Sequence, residues 1–292
     1  MSRKNRITMF DVVVHIIGFL LTIIVLYPLI LVLSCSFSDP DLVMSGQVVL
    51  LPKGLTLEGY KAVFENDQIM LGYANTFFYT IFGTIVRLLV TLPAGYALSK
   101  GNRLPGYNKL LVFFMISMYF SGGLIPTFLW VNKLGLYNTR LYIIIHGAFS
   151  MYNCVICRSF FAAIPKELEE AAYIDGSSVT KTFAKVVMPL SKALLGVMVL
   201  YMAIGQWNSY FVHMVYLRED SKMPLAVFLR RILVLSQQIT DSEDAEYIAM
   251  LIQREQLIRY AVIVVAAAPL LIIYPFLQKY FDKGVLIGSV KG

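Results

Sequence analysis

The chain has 292 residues, of which 58% are hydrophobic and only 15% charged, and its mean hydropathy is +0.69. A water-soluble domain of this length needs far more charge to cover its surface, so lipid is the expected solvent for much of the chain. The net charge is +7, but the basic residues stand in short clusters between apolar runs, which indicates membrane topology rather than nucleic-acid binding.

Six apolar runs are long enough to cross a bilayer as helices, for which about 20 residues are needed. The predicted spans are residues 12–33, 74–98, 110–131, 141–164, 193–217 and 260–277. A basic stretch precedes the first run, as in a signal peptide, but the run is longer than a signal-peptide core, so we interpret it as a retained helix. The pattern predicts an all-α, polytopic membrane protein with one transmembrane domain over residues 1–292.

Basic residues orient the predicted helices, because cytoplasmic loops carry an excess of Lys and Arg. The N-terminal segment, the loop after the second helix, the segment 165–192 and the C-terminal segment together hold most of the 25 basic residues. The outer segment 35–73 is acidic, although Lys133 and Arg140 stand against the trend in another outer loop. This distribution of basic and acidic residues predicts a multi-pass protein with both termini in the cytoplasm.

The outer segment from Arg218 to Arg259 is long, polar and roughly balanced in charge, so it is expected to fold outside the bilayer. Within it, residues 224–235 have the pattern of a short amphipathic helix. The segment can be a plain connector or a docking surface for an external partner, and the sequence leaves both interpretations open.

The segment from Pro165 to Pro189 predicts two short cytoplasmic helices joined by a sharp bend. Pro165 suits the first turn of a helix, and the glutamates that follow it lie where the helix dipole favours negative charge. Gly176 ends this helix, and Ser177 and Ser178 can cap the next one. On these features alone, an ordinary solvated connector explains the segment as well.

The order of residues in this segment resembles the loop of binding-protein-dependent ABC importer permeases. The signature of that family is Glu-Ala-Ala, three residues, Gly, nine residues, Ile, one residue, and Leu-Pro. The residues that match it, with Val and Met in place of Ile and Leu, are Glu170, Ala171, Ala172, Gly176, Val186, Met188 and Pro189. The resemblance implies the type I ABC importer permease fold, with six transmembrane helices in a bacterial cytoplasmic (inner) membrane.

The resemblance extends over nearly the whole chain. The end of the second helix, Ala94–Ser99, and the tail Gly288–Gly292 resemble the maltose-type group of sugar-uptake permeases. Within that group, the segments 207–211 and 274–281 look most like the aldouronate, lipoprotein-associated branch. The implied cargo is an oligosaccharide, with uronate-containing sugars included.

The resemblance also implies partners. The loop would be a coupling helix that lies in a groove of a separate cytoplasmic ATPase, through Glu170, Ala171, Ala172, Asp175, Gly176 and Pro189. The C-terminal tail, at Ser289, Lys291 and Gly292, would contact the ATPase pair. A second related permease, two ATPase subunits that bind ATP and Mg²⁺, and an extracellular sugar-binding protein complete the expected transporter. The chain itself has no phosphate-binding loop, so no cofactor is expected in it.

Arg87 lies near the middle of the second predicted helix. An arginine at the bilayer centre costs about 2.5–3.5 kcal/mol on insertion scales, so its side chain is expected to face a partner or a wet cavity. It can pair with carbonyl groups of another helix or with the sister permease. Alternatively, it can meet a substrate carboxylate, which would suit a uronate sugar.

Trp207, Asn208 and Tyr210, late in the fifth predicted helix, are further candidates for the substrate path, because aromatic faces and amide groups suit sugar rings. An interfacial aromatic belt with a helix-packing asparagine explains them equally well. Tyr119 and Asn153 are candidates by the same reasoning.

No catalytic or metal-ligating arrangement is visible in the sequence. Cys154 and Cys157 share a helix face, but no further Cys or His completes a site, so we expect them to be packing residues. The sequence predicts a non-catalytic permease subunit of an oligosaccharide importer. The alternatives are a permease for another polar solute and, from a different class, a membrane-embedded enzyme or sensor.

Overall fold

The computed structural model describes residues 9–235 and 258–275, and within these residues the regular structure is helical, with no strand. The predicted all-α class is therefore confirmed. The described residues fall into two units: residues 9–70 with 229–235 and 258–268, and residues 71–228 with 269–275. The predicted tail residues Ser289, Lys291 and Gly292, and residues 236–257 of the outer segment, lie outside the described ranges.

The first unit begins with three helices. They are α1 Met9–Ser36, α2 Pro40–Met44 and α3 Glu58–Phe64. The apolar side chains of α1 are exposed along almost its whole length, and only its last residues, Ser34–Ser36, are buried. A 28-residue apolar helix with this exposure requires lipid or another helix around it.

Serine hydroxyl groups fasten the end of α1 to the outer segment that follows it. The Ser34 hydroxyl donates to the Leu50 carbonyl oxygen at 2.5 Å, and the hydroxyl groups of Ser36 and Tyr60 lie 2.8 Å apart. The Lys53 backbone N–H donates to the Ser38 hydroxyl at 3.0 Å. These bonds satisfy polar groups where the helix leaves the apolar region.

The remaining helices follow in chain order. They are α4 Asp67–Ser99, α5 Tyr107–Tyr119, α6 Leu124–Lys133, α7 Arg140–Ile145, α8 Met151–Ala162, α9 Lys166–Ile174, α10 Val179–Thr182, α11 Met188–Leu190, α12 Lys192–Trp207, α13 Phe211–Tyr216, α14 Leu225–Leu235 and α15 Ile258–Pro275. A π-helical turn, Phe183–Val187, joins α10 to α11. The longest is α4, with 33 residues and Pro93 inside it.

Two apolar cores pack against α4 within the second unit. One joins α4 to α7 and α13 through Tyr79, Ile143 and Tyr216. The other joins it to α8, the π-helical turn and α12, and Cys157 and Met198 lie in it at 0% and 1% exposure. Because α4 contributes to both cores, side chains along its length are presented to two different neighbourhoods.

Polar residues at the start of α4 hold the segment that precedes α14. The Asn75 side-chain amide donates to the carbonyl oxygens of Ser221 and Met223, both at 3.0 Å. The Leu225 backbone N–H donates to the Thr76 hydroxyl at 2.9 Å. The predicted amphipathic helix at 224–235 is α14, Leu225–Leu235.

The third predicted span differs from the structure. In place of one helix over 110–131, α5 and α6 meet at an angle of 111°. Gly122 and Gly123 lie at the break, and glycine is a poor helix former, so the pair ends α5 and lets the chain turn. Because α5 and α6 are both apolar, a hydropathy pattern alone does not show that the helix is broken between them.

The fourth and fifth predicted spans are also interrupted. Residues 146–150 separate α7 from α8, and Ser150 caps the new helix by accepting from the Asn153 backbone N–H at 3.5 Å. Residues 208–210 separate α12 from α13. Asn and Ser favour caps and turns, because their side chains compete for backbone hydrogen bonds, and this accounts for the interruption at Asn208 and Ser209.

Three helices in the described residues are long and apolar enough to cross a membrane: α1, α4 and α15. Counting two bent pairs as single spans, α5 with α6 and the segment 179–190 with α12, raises the number to five. The interrupted fourth predicted span, 141–164, is not among them, so length and apolarity alone do not support it in the described residues.

Candidate functional site

The predicted coupling segment, residues 165–189, consists of short helices that bend at Gly176. Its first helix, α9, begins after Pro165 and has Glu167 and Glu169 in its first turn. Carboxylates at this end of a helix are stabilised by the partial positive charge of the free backbone N–H groups. The two glutamates therefore favour the start of a helix at this position.

Gly176 ends α9 with a pair of backbone hydrogen bonds. The Ser177 N–H donates to the Ala172 carbonyl oxygen at 2.9 Å, and the Gly176 N–H donates to the Tyr173 carbonyl oxygen at 3.0 Å. This is a Schellman motif, which requires a left-handed residue, and Gly176 has φ of +76°. Ser178 then caps α10 by accepting from the Lys181 N–H.

The bend presents small and apolar residues to the surroundings. Ala171 and Gly176 are exposed, and the Ile174 side chain at the tip is 87% exposed. Val179, at the start of α10, is 60% exposed. Exposed apolar side chains beside small residues form a surface that a partner can approach closely.

Two neighbouring glutamates of α9 have different surroundings. The Glu170 carboxylate lies 3.6 Å from the Arg103 guanidinium, with both side chains more than half exposed. Glu169 is only 8% exposed; it forms an ion pair with Lys100, and the Tyr96 hydroxyl donates to its Oε2 atom at 2.9 Å. The sequence predicts a contact role for Glu170 but not for Glu169, because no neighbouring residue in the chain indicates which of the two glutamates is buried.

A second candidate site is a cleft beside α4 that contains Arg87. It has a volume of about 290 Å³. Its lining residues come from α4, the break before α8, α8 and α12, and they are Arg87, Gly147, Asn153, Tyr201, Met202, Ile204 and Gly205. The structure therefore brings two of the predicted substrate-path residues, Arg87 and Asn153, to the same cleft.

Backbone groups hold Arg87 in place. Its Nη2 atom donates to the His146 carbonyl oxygen at 3.0 Å. Gly147 follows with φ of +69°, and a Cβ atom on it would lie 3.5 Å from the Arg87 Nη2 atom. The left-handed backbone at Gly147 turns the chain so that a carbonyl group meets the guanidinium.

Two polar atoms at the cleft lack hydrogen-bond partners within the described residues. They are the Nε atom of Arg87 and the Oδ1 atom of Asn153, and both are buried. A buried polar group without a partner is costly, and its presence in a native fold points to a water molecule or a ligand. Arg87 and Asn153 thus contribute a guanidinium group and an amide group to the lining of the cleft.

The other predicted substrate-path residues lie elsewhere. Trp207 is 6% exposed, and its ring packs edge-on against Phe77 with centroids 5.1 Å apart. Asn208 caps the end of α12, Tyr210 is 39% exposed, and Tyr119 ends α5 at 73% exposure. None of the four is among the residues that line the cleft.

The cleft also contains residues that the sequence analysis did not consider. Tyr201 is 57% exposed and adds a hydroxyl group and an aromatic face. In the sequence, Tyr201 stands out only as a tyrosine in the middle of an apolar helix, four residues before Gly205. This pattern does not indicate on which face of α12 its ring lies.

The cysteines are packing residues. Cys154 and Cys157 are free thiols at 0% exposure in apolar cores. In the part of the chain that the structure describes, no group of three or more His, Cys, Asp and Glu side chains is arranged to hold a metal ion.

Comparison with known proteins places this geometry in context. Residues 69–287 match the family described as binding-protein-dependent transport system inner membrane component. Protein LplC of Bacillus subtilis (strain 168) is 39% identical over 269 residues, which cover 92% of this chain and 90% of LplC. The polygalacturonan/rhamnogalacturonan transport system permease protein YtcP of the same organism is 38% identical over 291 residues, which cover 99% of this chain and all of YtcP.

A solved structure is similar over nearly the same length. It is a crystal structure of a bacterial ABC transporter involved in the import of the acidic polysaccharide alginate. One of its chains superposes with a TM-score of 0.84 at 35% sequence identity, over 96% of this chain and 99% of that chain. At this identity and coverage the two chains share their fold from end to end.

Proposed function

Because this chain belongs to the family of binding-protein-dependent transport system inner membrane components, and is a non-catalytic permease subunit of an ABC importer for oligosaccharides, we propose that its cargo is uronate-containing. Two similar proteins have names that mention acidic polysaccharides, polygalacturonan and alginate. The observation in this chain that carries the proposal is the Arg87 cleft, which a guanidinium and an amide side chain line together, each with a buried atom that has no hydrogen-bond partner within the described residues.

The chemistry of the cleft fits an acidic sugar. A guanidinium binds a carboxylate through charge-assisted hydrogen bonds, which are the strong ones in proteins. Asn153 can accept from a sugar hydroxyl through its Oδ1 atom, and Tyr201 supplies a partly exposed ring against which a pyranose can stack. Trp207, Asn208, Tyr210 and Tyr119 are proposed to act outside this cleft, elsewhere along the path or at the membrane interface.

The proposed arrangement in the membrane follows from charge and from the coupling segment. Both termini are cytoplasmic, and the segment 165–189 faces the cytoplasm, where α9 lies in a groove of a separate ATPase that binds ATP and Mg²⁺. A second related permease completes the path, and the outer segment from Arg218 to Arg259 contacts an extracellular sugar-binding protein. Closure of the ATPase pair moves α9, and the helices switch between inward-open and outward-open forms. The C-terminal tail contacts the ATPase pair.

The experiment compares acidic and neutral cargo. The complete importer, reconstituted in proteoliposomes with its binding protein, is given oligogalacturonates and neutral oligosaccharides of equal length. Arg87→Gln removes a charge-assisted interaction that contributes about 1.5–3 kcal/mol, so the ratio of acidic to neutral uptake is expected to fall about ten- to a hundredfold. Arg87→Lys keeps the positive charge but lacks the planar guanidinium group that binds a carboxylate with two hydrogen bonds. Its ratio of acidic to neutral uptake is expected to lie between those of the wild type and Arg87→Gln.

The matched control is a second arginine of the same unit. Arg158, on α8, does not line the cleft, and its guanidinium lies 5.7 Å from the centre of the Tyr107 ring. Arg158→Gln is expected to leave the ratio unchanged. If the wild-type importer carries both sugars equally, then the proposal of an acidic cargo is wrong. If Arg87→Gln instead lowers both uptakes by loss of subunit assembly, then Arg87 is a structural residue and does not bind the cargo.

A further inference from the structure

A buried carboxylate fastens the coupling helix to α4. The Glu169 carboxylate, from the first turn of α9, forms an ion pair with Lys100, at the end of α4, and accepts a hydrogen bond from the Tyr96 hydroxyl at 2.9 Å. The Lys100 ammonium also lies 4.0 Å from the centre of the Tyr96 ring, so each of the three side chains contacts the other two. We name these residues, Tyr96, Lys100 and Glu169, the junction.

Aromatic rings pack around Tyr96, while Lys100 and Glu169 also line a cavity of about 250 Å³. The Tyr96 ring, 5% exposed, lies 5.9 Å from the Phe161 ring of α8 and 4.8 Å from the Phe183 ring of the π-helical turn. The Phe161 and Phe183 rings contact each other as well, at 6.1 Å. Helix α8, which precedes the coupling segment, and the π-helical turn near the end of that segment therefore meet at Tyr96, which makes the junction a packed contact rather than a loose surface contact.

The junction differs from the exposed ion pair beside it. Arg103 and Glu170 also join the end of α4 to α9, but their side chains are 67% and 55% exposed and 3.6 Å apart. A pair in this setting is screened by water and holds little in place. For Glu169 and Lys100 the side-chain exposures are 11% and 24%, so removing one partner leaves a buried charge without compensation.

Helix α4 connects the junction to the cleft. It is continuous from Asp67 to Ser99, and Tyr96 and Arg87 lie nine residues apart on it, which is about 14 Å along the axis. Pro93 lies between them and removes one backbone hydrogen bond of α4. Leu92 and Tyr96, on either side of Pro93, are buried in one apolar core with Cys157 and Met198, which holds this part of the helix together. A displacement of the end of α4 is therefore carried to residues two or three turns away. A movement of α9 that is held at Glu169 thus reaches the cleft through one element.

We infer that Glu169, through its ion pair with Lys100 and its hydrogen bond to Tyr96, is the positioning residue that transmits the movement of the coupling helix to α4 and the Arg87 cleft. Glu170, whose carboxylate is exposed, stays available to the ATPase partner. The inference rests on the proposed coupling to an ATPase, and it does not depend on which sugar is carried.

The test uses the complete importer in proteoliposomes. Uptake and ATP hydrolysis are both measured with cargo-loaded binding protein, for the wild type, Glu169→Gln, Lys100→Met and the charge swap Lys100→Glu/Glu169→Lys. The single variants are expected to lower the sugar carried per ATP hydrolysed at least tenfold. The charge swap is expected to restore at least a third of the wild-type ratio, because it rebuilds the pair in the opposite direction. Arg103→Met is the control and is expected to keep the wild-type ratio.

The outcomes separate the inference from the function on which it rests. If the wild-type permease does not co-purify with an ATPase, then the proposed coupling fails. If the wild type transports and Glu169→Gln keeps its ratio, then the junction does not transmit the movement. If the single variants lose subunit co-purification and the charge swap does not restore it, then Glu169 serves assembly alone and the inference is overturned.

Discussion

Two regions of the second unit bury polar side chains, and they differ in how those side chains are satisfied. At the junction, the Glu169 carboxylate has both an ammonium and a hydroxyl partner. In the cleft, the Arg87 guanidinium has one carbonyl partner, while its Nε atom and the Asn153 Oδ1 atom have none within the described residues. A satisfied buried group holds two elements together, whereas an unsatisfied one is stabilised only when water or a ligand arrives.

The difference in hydrogen bonding between the junction and the cleft suits the two regions to different functions. The junction is suited to transmit a movement because its ion pair and hydrogen bond are already formed in the folded protein. The cleft is suited to respond to cargo because part of its hydrogen-bonding capacity is unused. Stability measurements and transport measurements should therefore separate the two regions, since junction variants change both and cleft variants change mainly transport.

The largest expected effect on stability is that of Glu169→Gln. It leaves the Lys100 ammonium buried without a counter-charge, which is expected to lower the free energy of unfolding by about 3 kcal/mol, at the low end for a buried pair because Lys100 is 24% exposed. Thermal unfolding of the purified permease in detergent measures the loss. The double variant Lys100→Met/Glu169→Gln should recover at least half of it. A single variant as stable as the wild type would mean that the two charges are solvated separately.

Smaller changes in the free energy of unfolding are expected from substitutions at two buried asparagines, Asn75 and Asn153. Asn75→Leu removes two hydrogen bonds to the carbonyl groups of Ser221 and Met223 and should cost about 2 kcal/mol of unfolding free energy. Asn153→Leu removes an acceptor that has no partner, so unfolding should change by less than about 0.5 kcal/mol while uptake falls about fivefold, as expected for one lost hydrogen bond. Thermal unfolding and proteoliposome uptake are measured on both variants. Equal destabilisation by the two substitutions would show that the Asn153 oxygen is satisfied within the fold.

The exposed ion pair of Arg103 and Glu170 is the reference against which the loss of stability at the junction is compared. Arg103→Met removes an interaction between side chains that are 67% and 55% exposed, so the free energy of unfolding should change by less than about 0.5 kcal/mol. Unfolding at low and high salt should give the same small difference. A loss as large as that of Glu169→Gln would remove the distinction between the two glutamates of α9.

The smallest effect concerns pH, at a carboxylate outside the membrane-spanning helices. Hydrogen bonds from Lys222 and Asn138 hold the pKa of Glu219 below its usual value of 4.5. A depressed pKa contributes stability that is present above the usual pKa and is lost as the pH falls through the depressed value. Glu219→Gln should therefore lower the Tm slightly at pH 6, and this difference should disappear toward pH 3. A difference that persists at pH 3 would mean that the carboxylate charge is irrelevant there.

Part of this picture follows from local sequence. The long apolar runs of α1, α4 and α15 predict membrane-spanning helices, because each is long and apolar enough to cross a bilayer. The Schellman bend at Gly176 follows from the glycine between two short helices. The family signature from Glu170 to Pro189 is likewise contiguous, so it was readable without a structure.

Other features are decided by tertiary structure. The breaks after Tyr119, Ile145 and Trp207 divide runs that look continuous in hydropathy, because a turn depends on a few residues whereas apolarity is averaged over many. The sequence placed Arg87 in a helix but could not say that Asn153 and Tyr201 would share its cleft.

The junction is the clearest case. Tyr96 and Lys100 lie about seventy residues before Glu169, and neither glutamate of α9 is distinguished from the other by its neighbours in the chain. Local pattern predicted a membrane permease and, from Glu170 to Pro189, a segment that resembles the coupling loop of its family. Only packing decided which carboxylate is buried and which cation it meets, because burial is a property of surfaces brought together from distant parts of the chain.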